Sequence, residues 1–320
     1  MKKSLKELNV YGYPWHVGHQ YELAKLFNSY TFQTNYQRTW GEVSRPFPKN
    51  GKWALEYTQG AYDLAIFHVD QQCVSPSSQK GRLIKDMQKV IKDIPIVVIN
   101  HMTPFDDTLE TFEVIQAMKD LIGDTPMVVN SKQAAEQWGW GTPIIHGLEP
   151  DEWLDLPKEP RIITSLSKAG MSTAYRRELL HETIEILEER GIKVVWIQSD
   201  KKFNNFDSYR DYIGRSAIYF NATWQSPMPR SRTEAMMSGA CVVSTGHHDW
   251  ASYIEDGKNG FIVPDNPKAA AALLEDLIMN RYQEVVAIGK AGRETAIKEF
   301  HHDRWAADWT TLLTKLGVLA

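Results

Sequence analysis

Two arginines and a carboxylate within five residues, Arg230, Arg232 and Glu234, carry the clearest chemical content of this 320-residue chain. They belong to the stretch Ser226 to Val263, SPMPRSRTEAMMSGACVVSTGHHDWASYIEDGKNGFIV, which reads as loop, short helix, buried strand, loop, helix, turn and strand. A helix N-terminus turns unpaired N–H groups and the positive end of its dipole toward an anion. Basic side chains add charge there, and a carboxylate in the first turn accepts hydrogen bonds from hydroxyls. That combination suits a phosphorylated, hydroxyl-bearing ligand. The spacing Ser231-x-x-Glu234 is equally that of a capping box, in which Glu234 bonds back to the N-cap N–H. Both readings of Glu234 stand at this point.

Further candidates sit where strands end. His101 follows the apolar run Ile94 to Asn100, and His68 follows Tyr62 to Phe67. The carboxyl ends of central parallel strands are where open α/β sheets hold ligand groups. Gly18, between the run Leu8 to Tyr13 and an amphipathic segment, allows a backbone to approach a ligand closely. The pairs His247-His248 and His301-His302 are each followed by an aspartate. Adjacent histidines rarely converge on one centre, and no helical His-x-x-x-His or Cys pair supports them, so no metal site is expected. No Gly-x-Ser-x-Gly elbow, Gly-x-Gly-x-x-Gly fingerprint or Walker loop occurs, which removes the hydrolase, dehydrogenase and kinase readings.

The elements that must position these groups follow from the alternation of short apolar runs with amphipathic segments. That pattern predicts an α/β architecture with parallel strands. The length suits two domains, each with its own core, and the alternation restarts at Arg161 after the proline-bearing stretch Asp151 to Pro160. The expected division is 1–150, 151–300, and a C-terminal helix at 301–320 with Trp305 and Trp309 spaced i, i+4 as an anchor. A 42% hydrophobic, 24% charged composition is globular. Thirty-six basic against 40 acidic residues give a net charge of −4, which argues against nucleic acid as a partner. MKKSLKELNV has no apolar core of a signal peptide, and no run of about 18 apolar residues occurs. With two distant cysteines, Cys73 and Cys241, the chain reads as cytoplasmic and reduced.

The second half also resembles a known family. Glu234-Ala235-Met236, Ser238-Gly239-Ala240-Cys241-Val242-Val243 and Asp256-Gly257-Lys258-Asn259-Gly260-Phe261 are similar to the pattern "EAM..G.PVV … DG.NGF.V" of glycosyltransferase family four, the glycosyl transferases group 1. In the first half, Pro95 to His101 and Pro143 to Pro150 resemble further family segments. The resemblance implies a GT-B fold, with two Rossmann-like domains whose parallel sheets face each other across a cleft. It implies transfer of a sugar from a nucleotide diphosphate sugar to an acceptor hydroxyl, with retention, without metal and with no other cofactor. The acceptor is open: a glycan, a lipid-linked glycan or another hydroxyl. His101 and Glu234 are then the catalytic candidates, His101 toward the donor sugar and Glu234 toward the nucleotide ribose. Gly18, Lys168, Arg176 (or its neighbour Arg177), Arg230 and Ser226 are the donor-binding candidates.

The family's Arg, four residues, then Lys after the first strand of the second domain is not found at that spacing here, and two further positions depart from the family pattern. Its first glutamate falls on Ser226, and its Gly-Gly-x-x-Glu loop falls on His248-Asp249-Trp250-Ala251-Ser252. Serine accepts fewer strong hydrogen bonds than a carboxylate. An atypical donor sugar, replacement contacts from Asp249 and His247, a nucleotide-sugar epimerase and a non-catalytic binding protein are the alternatives this leaves.

Overall fold

The computed structural model describes residues 3–34, 40–41, 45–75, 77–106, 108–166, 175–200 and 203–320. The chain divides into two compact units, Met1–Gly147 with His302–Ala320, and Leu148–His301.

In the first unit the apolar runs become β1 (Asn9–Gly12), β2 (Ser29–Gln33), β3 (Gly51–Ala54), β4 (Leu64–Val69), β5 (Ile96–Asn100), β6 (Met127–Val129) and β7 (Thr142–Pro143). They form one parallel sheet in the order β3-β2-β1-β4-β5-β6-β7. A parallel sheet is covered on both faces, which is why every residue of β2 and β4 is buried. The covering helices are α1 (Val17–Ala24), α2 (Gln79–Val90), α3 (Thr111–Ile122) and α4 (Lys132–Trp138). Ser78 and Ser131 cap α2 and α4 by accepting from the N–H groups of Gly81 and Ala134. The C-terminal helix, His302–Lys315, packs in this unit's core, where Trp305 and Trp309 have no exposed surface. Strand order reverses between β1 and β4, so their carboxyl ends open the crevice at which such sheets take ligands.

The second unit repeats the plan with β8 (Glu159–Thr164), β9 (Val194–Trp196), β10 (Ser216–Asn221), β11 (Cys241–Ser244) and β12 (Phe261–Ile262), parallel and in the order β12-β11-β10-β8-β9. Here the order reverses between β8 and β10. The helices are α5 (Arg177–Glu189), α6 (Ile197–Asp200), α7 (Phe206–Arg215), α8 (Arg230–Met237), α9 (Trp250–Tyr253), α10 (Pro267–Met279) and α11 (Tyr282–Glu299). The apolar run Ile192 to Gln198 is strand only as far as Trp196. Asp200 Oδ2 accepts from the Trp196 N–H at 3.1 Å, and the chain turns into α6. The proline-bearing stretch before β8 is packed into this unit: Trp153 is buried, and Arg293 of α11 donates to its carbonyl at 2.9 Å. Helix α11 lies unusually close to β11, because Gly289 has no Cβ where one would stand 2.3 Å from the carbonyl oxygen of Gly239.

Candidate functional site

At the switch point of the second sheet, Ala222 to Pro229 lead from β10 into α8. Pro229 is the N-cap and no side chain caps the helix. Glu234 is therefore the fifth helical residue, in the second turn, and the capping-box reading is corrected. Ser231 lies inside the helix and takes part in a hydroxyl cluster instead. Its Oγ accepts from Ser165 Oγ at 2.7 Å and lies 2.9 Å from the Tyr219 hydroxyl. That hydroxyl is 2.8 Å from Ser165 Oγ and accepts from Asn221 Nδ2 at 2.9 Å. The cluster ties the ends of β8 and β10 to the start of α8. Burial raises the Tyr219 phenol to about 12, so it remains a neutral hydrogen-bonding group. Glu234 is buried, and its Oε2 accepts a 2.9 Å hydrogen bond from the Tyr209 hydroxyl of α7.

The basic candidates fall in different settings. Arg176 is the N-cap of α5; its N–H donates to the Ala222 carbonyl and its Nη1 pairs with Asp265 Oδ2 at 2.6 Å. That cation thus has a counter-charge, and Arg177 is the first residue of α5. Arg230 opens α8, half-buried. Ser226 is half-buried and joined to Tyr175 by a side-chain hydrogen bond. Lys168 lies outside the described residues. Arg232 is fully buried, and its guanidinium carbon sits 4.1 Å from the centre of the Trp250 ring.

The loop after β11 carries the departures noted in the sequence. His248 is the one described non-glycine residue with a left-handed backbone, at φ 56°, and it is 7% exposed. Burial, and then the charge of Arg232, push its pKa down to about 4, although the backbone of Trp224 hydrogen-bonds it. Burial, followed by Arg176, also lowers His247.

The switch point of the first sheet gathers four imidazoles. His16 is the N-cap of α1 and His19 the third residue of that helix, His68 comes from the end of β4, and His101 is the residue after β5. His101 Nε2 is 2.7 Å from His68 Nδ1, and His101 Nδ1 is 3.1 Å from Asn130 Nδ2. With the Asn130 amide as donor, His101 Nδ1 accepts and its Nε2–H points at His68. Both ring nitrogens of His101 are thus engaged inside the unit. His16 lies against it with ring centres 3.8 Å apart and planes tilted by 33°, its Nε2 4.0 Å from Asp70 Oδ2. Lys80 holds Asp70 at 2.6 Å and lies over the Trp15 ring. Gln20 fixes this turn, accepting from the Trp15 N–H and donating to the Tyr13 carbonyl, both at 2.7 Å. Trp305 meets His19 edge to face, with ring centres 5.2 Å apart. Gly18 is the second residue of α1, within the helix and without the positive φ of a glycine turn. Among the described residues no group of three or more His, Cys, Asp or Glu is placed to hold a metal ion.

The structure brings Arg230, Ser226 and Glu234 to one edge of the second sheet, and Gly18 and His101 to one edge of the first. Sequence reasoning read Arg232 only as a cation beside Arg230 and His16 and His19 only as part of the loop around Gly18, and it passed over Asn130 and Tyr209. His16 and His19 carried a usable signal, since both fall at the start of the helix that follows the first strand. Tyr209 carried none.

Two parallel-sheet α/β units of this kind define the GT-B fold. The structure is similar to that of Anabaena Alr3699/HepE in complex with UDP and glucose, with a TM-score of 0.70 and 12% identity over 97% of this chain and 100% of that one. It is also similar to sucrose-phosphate synthase (tll1590) from Thermosynechococcus elongatus, with a TM-score of 0.67 and 11% identity over 97% and 99% of the two chains. In sequence, residues 174–280 match the family described as Glycosyl transferases group 1. Spore coat protein SA of Bacillus subtilis (strain 168) is 30% identical over 111 residues, which are 34% of this chain and 29% of that relative's length. The family likeness thus lies in residues 174–280 of the second unit, and the solved structures share the fold. Among the described residues, no helix is long and apolar enough to cross a membrane.

Proposed function

We propose that the protein transfers a sugar from a nucleotide diphosphate sugar to an acceptor hydroxyl, with retention of configuration and without a metal ion. The observation that carries this reading is the buried carboxylate Glu234, oriented by Tyr209 in the helix that opens at the second sheet's switch point. It falls inside the stretch matched to glycosyl transferases group 1. The complexes of Anabaena Alr3699/HepE with UDP and with UDP-glucose, on the same fold, favour such a donor.

In this reading Glu234 accepts from ribose hydroxyls, and the α8 N-terminus with Arg230 and the region of Lys168 and Arg176 takes the diphosphate. Positive charge fixed around the leaving diphosphate does the work that a divalent ion does elsewhere. On the first unit, His101, held by His68 and Asn130 and lying against the ring of His16, faces the sugar or acceptor at that edge. The acceptor is a glycan, free or lipid-linked, or another hydroxyl compound, and the reaction belongs in the cytoplasm.

A non-catalytic nucleotide-binding protein is the second reading. It is favoured by Ser226, which bonds Tyr175 where the family pattern has a carboxylate. One panel separates the two. The protein is incubated with UDP-, GDP-, ADP- and dTDP-sugars, and thermal shift and nucleotide release are followed with and without EDTA. Transfer predicts a shift and release with one nucleotide class, unaffected by EDTA. A shift without release under any acceptor supports the binding protein, and EDTA-sensitive release refutes the metal-free mechanism.

A further inference from the structure

Arg232, the third residue of α8, has no exposed surface. Its Nη1 donates to Thr223 Oγ1 at 3.2 Å and to Ser244 Oγ at 3.3 Å, and its Nη2 to Met228 Sδ at 3.5 Å. The Trp250 ring covers one face of the guanidinium. Among the described residues no carboxylate pairs with it, and its Nε meets no acceptor. Burial lowers its pKa to about 9, which leaves it charged at neutral pH.

Two hydroxyls, a thioether and an indole face replace bulk water poorly around a cation. Packing alone calls for methionine or leucine here, since an apolar residue of similar volume is often neutral or stabilising in place of a buried ion. The charge therefore needs a reason outside the free protein. Its position supplies one. Thr223 follows β10, Ser244 ends β11 and Trp250 opens α9, so the guanidinium lies under the carboxyl-end edge where parallel sheets take ligands. Helix α8 begins at that same edge.

We propose that Arg232 is the fixed counter-charge for the donor's diphosphate, a positioning residue that acts through Trp250 and the Thr223–Ser244 edge without touching the ligand. This rests on the nucleotide-sugar reading above. A cation held in a water-poor medium attracts a nearby anion far more strongly than an exposed lysine does, and needs no reorganisation when the anion arrives. The free protein bears the cost of the buried charge, and the bound diphosphate relieves it.

The test uses this 320-residue chain as wild type, Arg232→Met and Arg232→Lys, titrated calorimetrically with UDP, GDP, ADP and dTDP, each beside its bare nucleoside. Arg232→Met is expected to weaken diphosphate binding roughly tenfold or more. The affinity for the bare nucleoside and the melting temperature of the free protein should not fall. Arg232→Lys, which keeps the charge, should stay within roughly threefold of wild type. Arg232→Gln, which keeps donors and removes the charge, takes the place of Arg232→Met should that variant not fold. Equal weakening of diphosphate and nucleoside, or equal weakening by Met and Lys, overturns the inference in favour of a packing role. If wild type binds none of the four diphosphates, the nucleotide-sugar reading itself falls and this inference with it.

Discussion

Replacing His248 by asparagine should make the protein less sensitive to acid. His248 is 7% exposed, and burial with the neighbouring charge of Arg232 holds its pKa at about 4, against an ordinary 6.5. The unfolded chain takes up a proton near pH 6.5, while the folded chain does not until near pH 4. Across that window the unfolded state binds more protons, so stability falls as pH falls. At about 1.4 kcal/mol for each pH unit between the two values, the total loss is about 3 kcal/mol. It is absent at pH 7, complete near pH 4 and flat below. Asparagine does not titrate and tolerates the left-handed backbone that His248 adopts at φ 56°, so the substitution adds little strain. His247, also lowered by burial, contributes in the same direction in both proteins and cancels from the comparison. Melting curves of wild type and His248→Asn at several pH values between 7 and 4 measure the effect. The advantage of the variant should grow with acidity to about 6–12 °C at pH 4. Parallel curves over the whole range refute the assignment of a neutral, proton-refusing imidazole to this loop.

Two more perturbations address the site and its support. Tyr209→Phe removes a 2.9 Å hydrogen bond from a buried carboxylate and should lower the unfolding free energy by about 1.5–3 kcal/mol in urea titration. Glu234→Ala should, in addition, weaken nucleotide binding by about tenfold, read by calorimetry; a loss of melting temperature alone assigns Glu234 to structure. Gly289→Ala would set a methyl 2.3 Å from the Gly239 carbonyl oxygen and 2.9 Å from the Cys241 nitrogen, both backbone atoms that cannot swing aside. It should cost about 1–3 kcal/mol, visible as a lower melting temperature of a protein whose nucleotide affinity is retained.

Parts of the site were legible because they are local. His101 stands one residue beyond β5, and a buried parallel strand is recognisable as an unbroken apolar run. The segment Glu234 to Val243 reads as helix and strand for the same reason. The turn Asp256 to Phe261 was legible as a motif, but its side chains serve the backbone. Asp256 Oδ1 accepts from the Ile262 N–H at 2.8 Å and Asn259 Oδ1 from the Glu255 N–H at 2.8 Å. Family likeness in such a turn reports packing as much as ligand chemistry.

The capping-box spacing at Ser231 and Glu234 misled because sequence places a helix start only to within a residue or two. Pro229 starts α8 early and carries Glu234 into the second turn, where Tyr209, 25 positions away, meets it. Arg232 reads in sequence as a second cation beside Arg230 at a helix N-terminus; only the tertiary packing, with Trp250 over it, shows that it is buried.

From the sequence alone come two α/β halves, parallel strands, the strand ends that carry histidine and the helix that carries Glu234. These follow from the short-range periodicity that burial imposes on each element. The tertiary structure decided which of those ends meet. The strand orders β3-β2-β1-β4 and β11-β10-β8-β9 set the two switch points. The first draws His16, His68 and His101 together, and the second gathers Ser165, Tyr219 and Ser231. No local pattern encodes such meetings, because their partners are separated by dozens of residues and joined only when the sheets close. The surroundings of Arg232 belong to the same class: its charge is written in the sequence, and its isolation is a property of the fold.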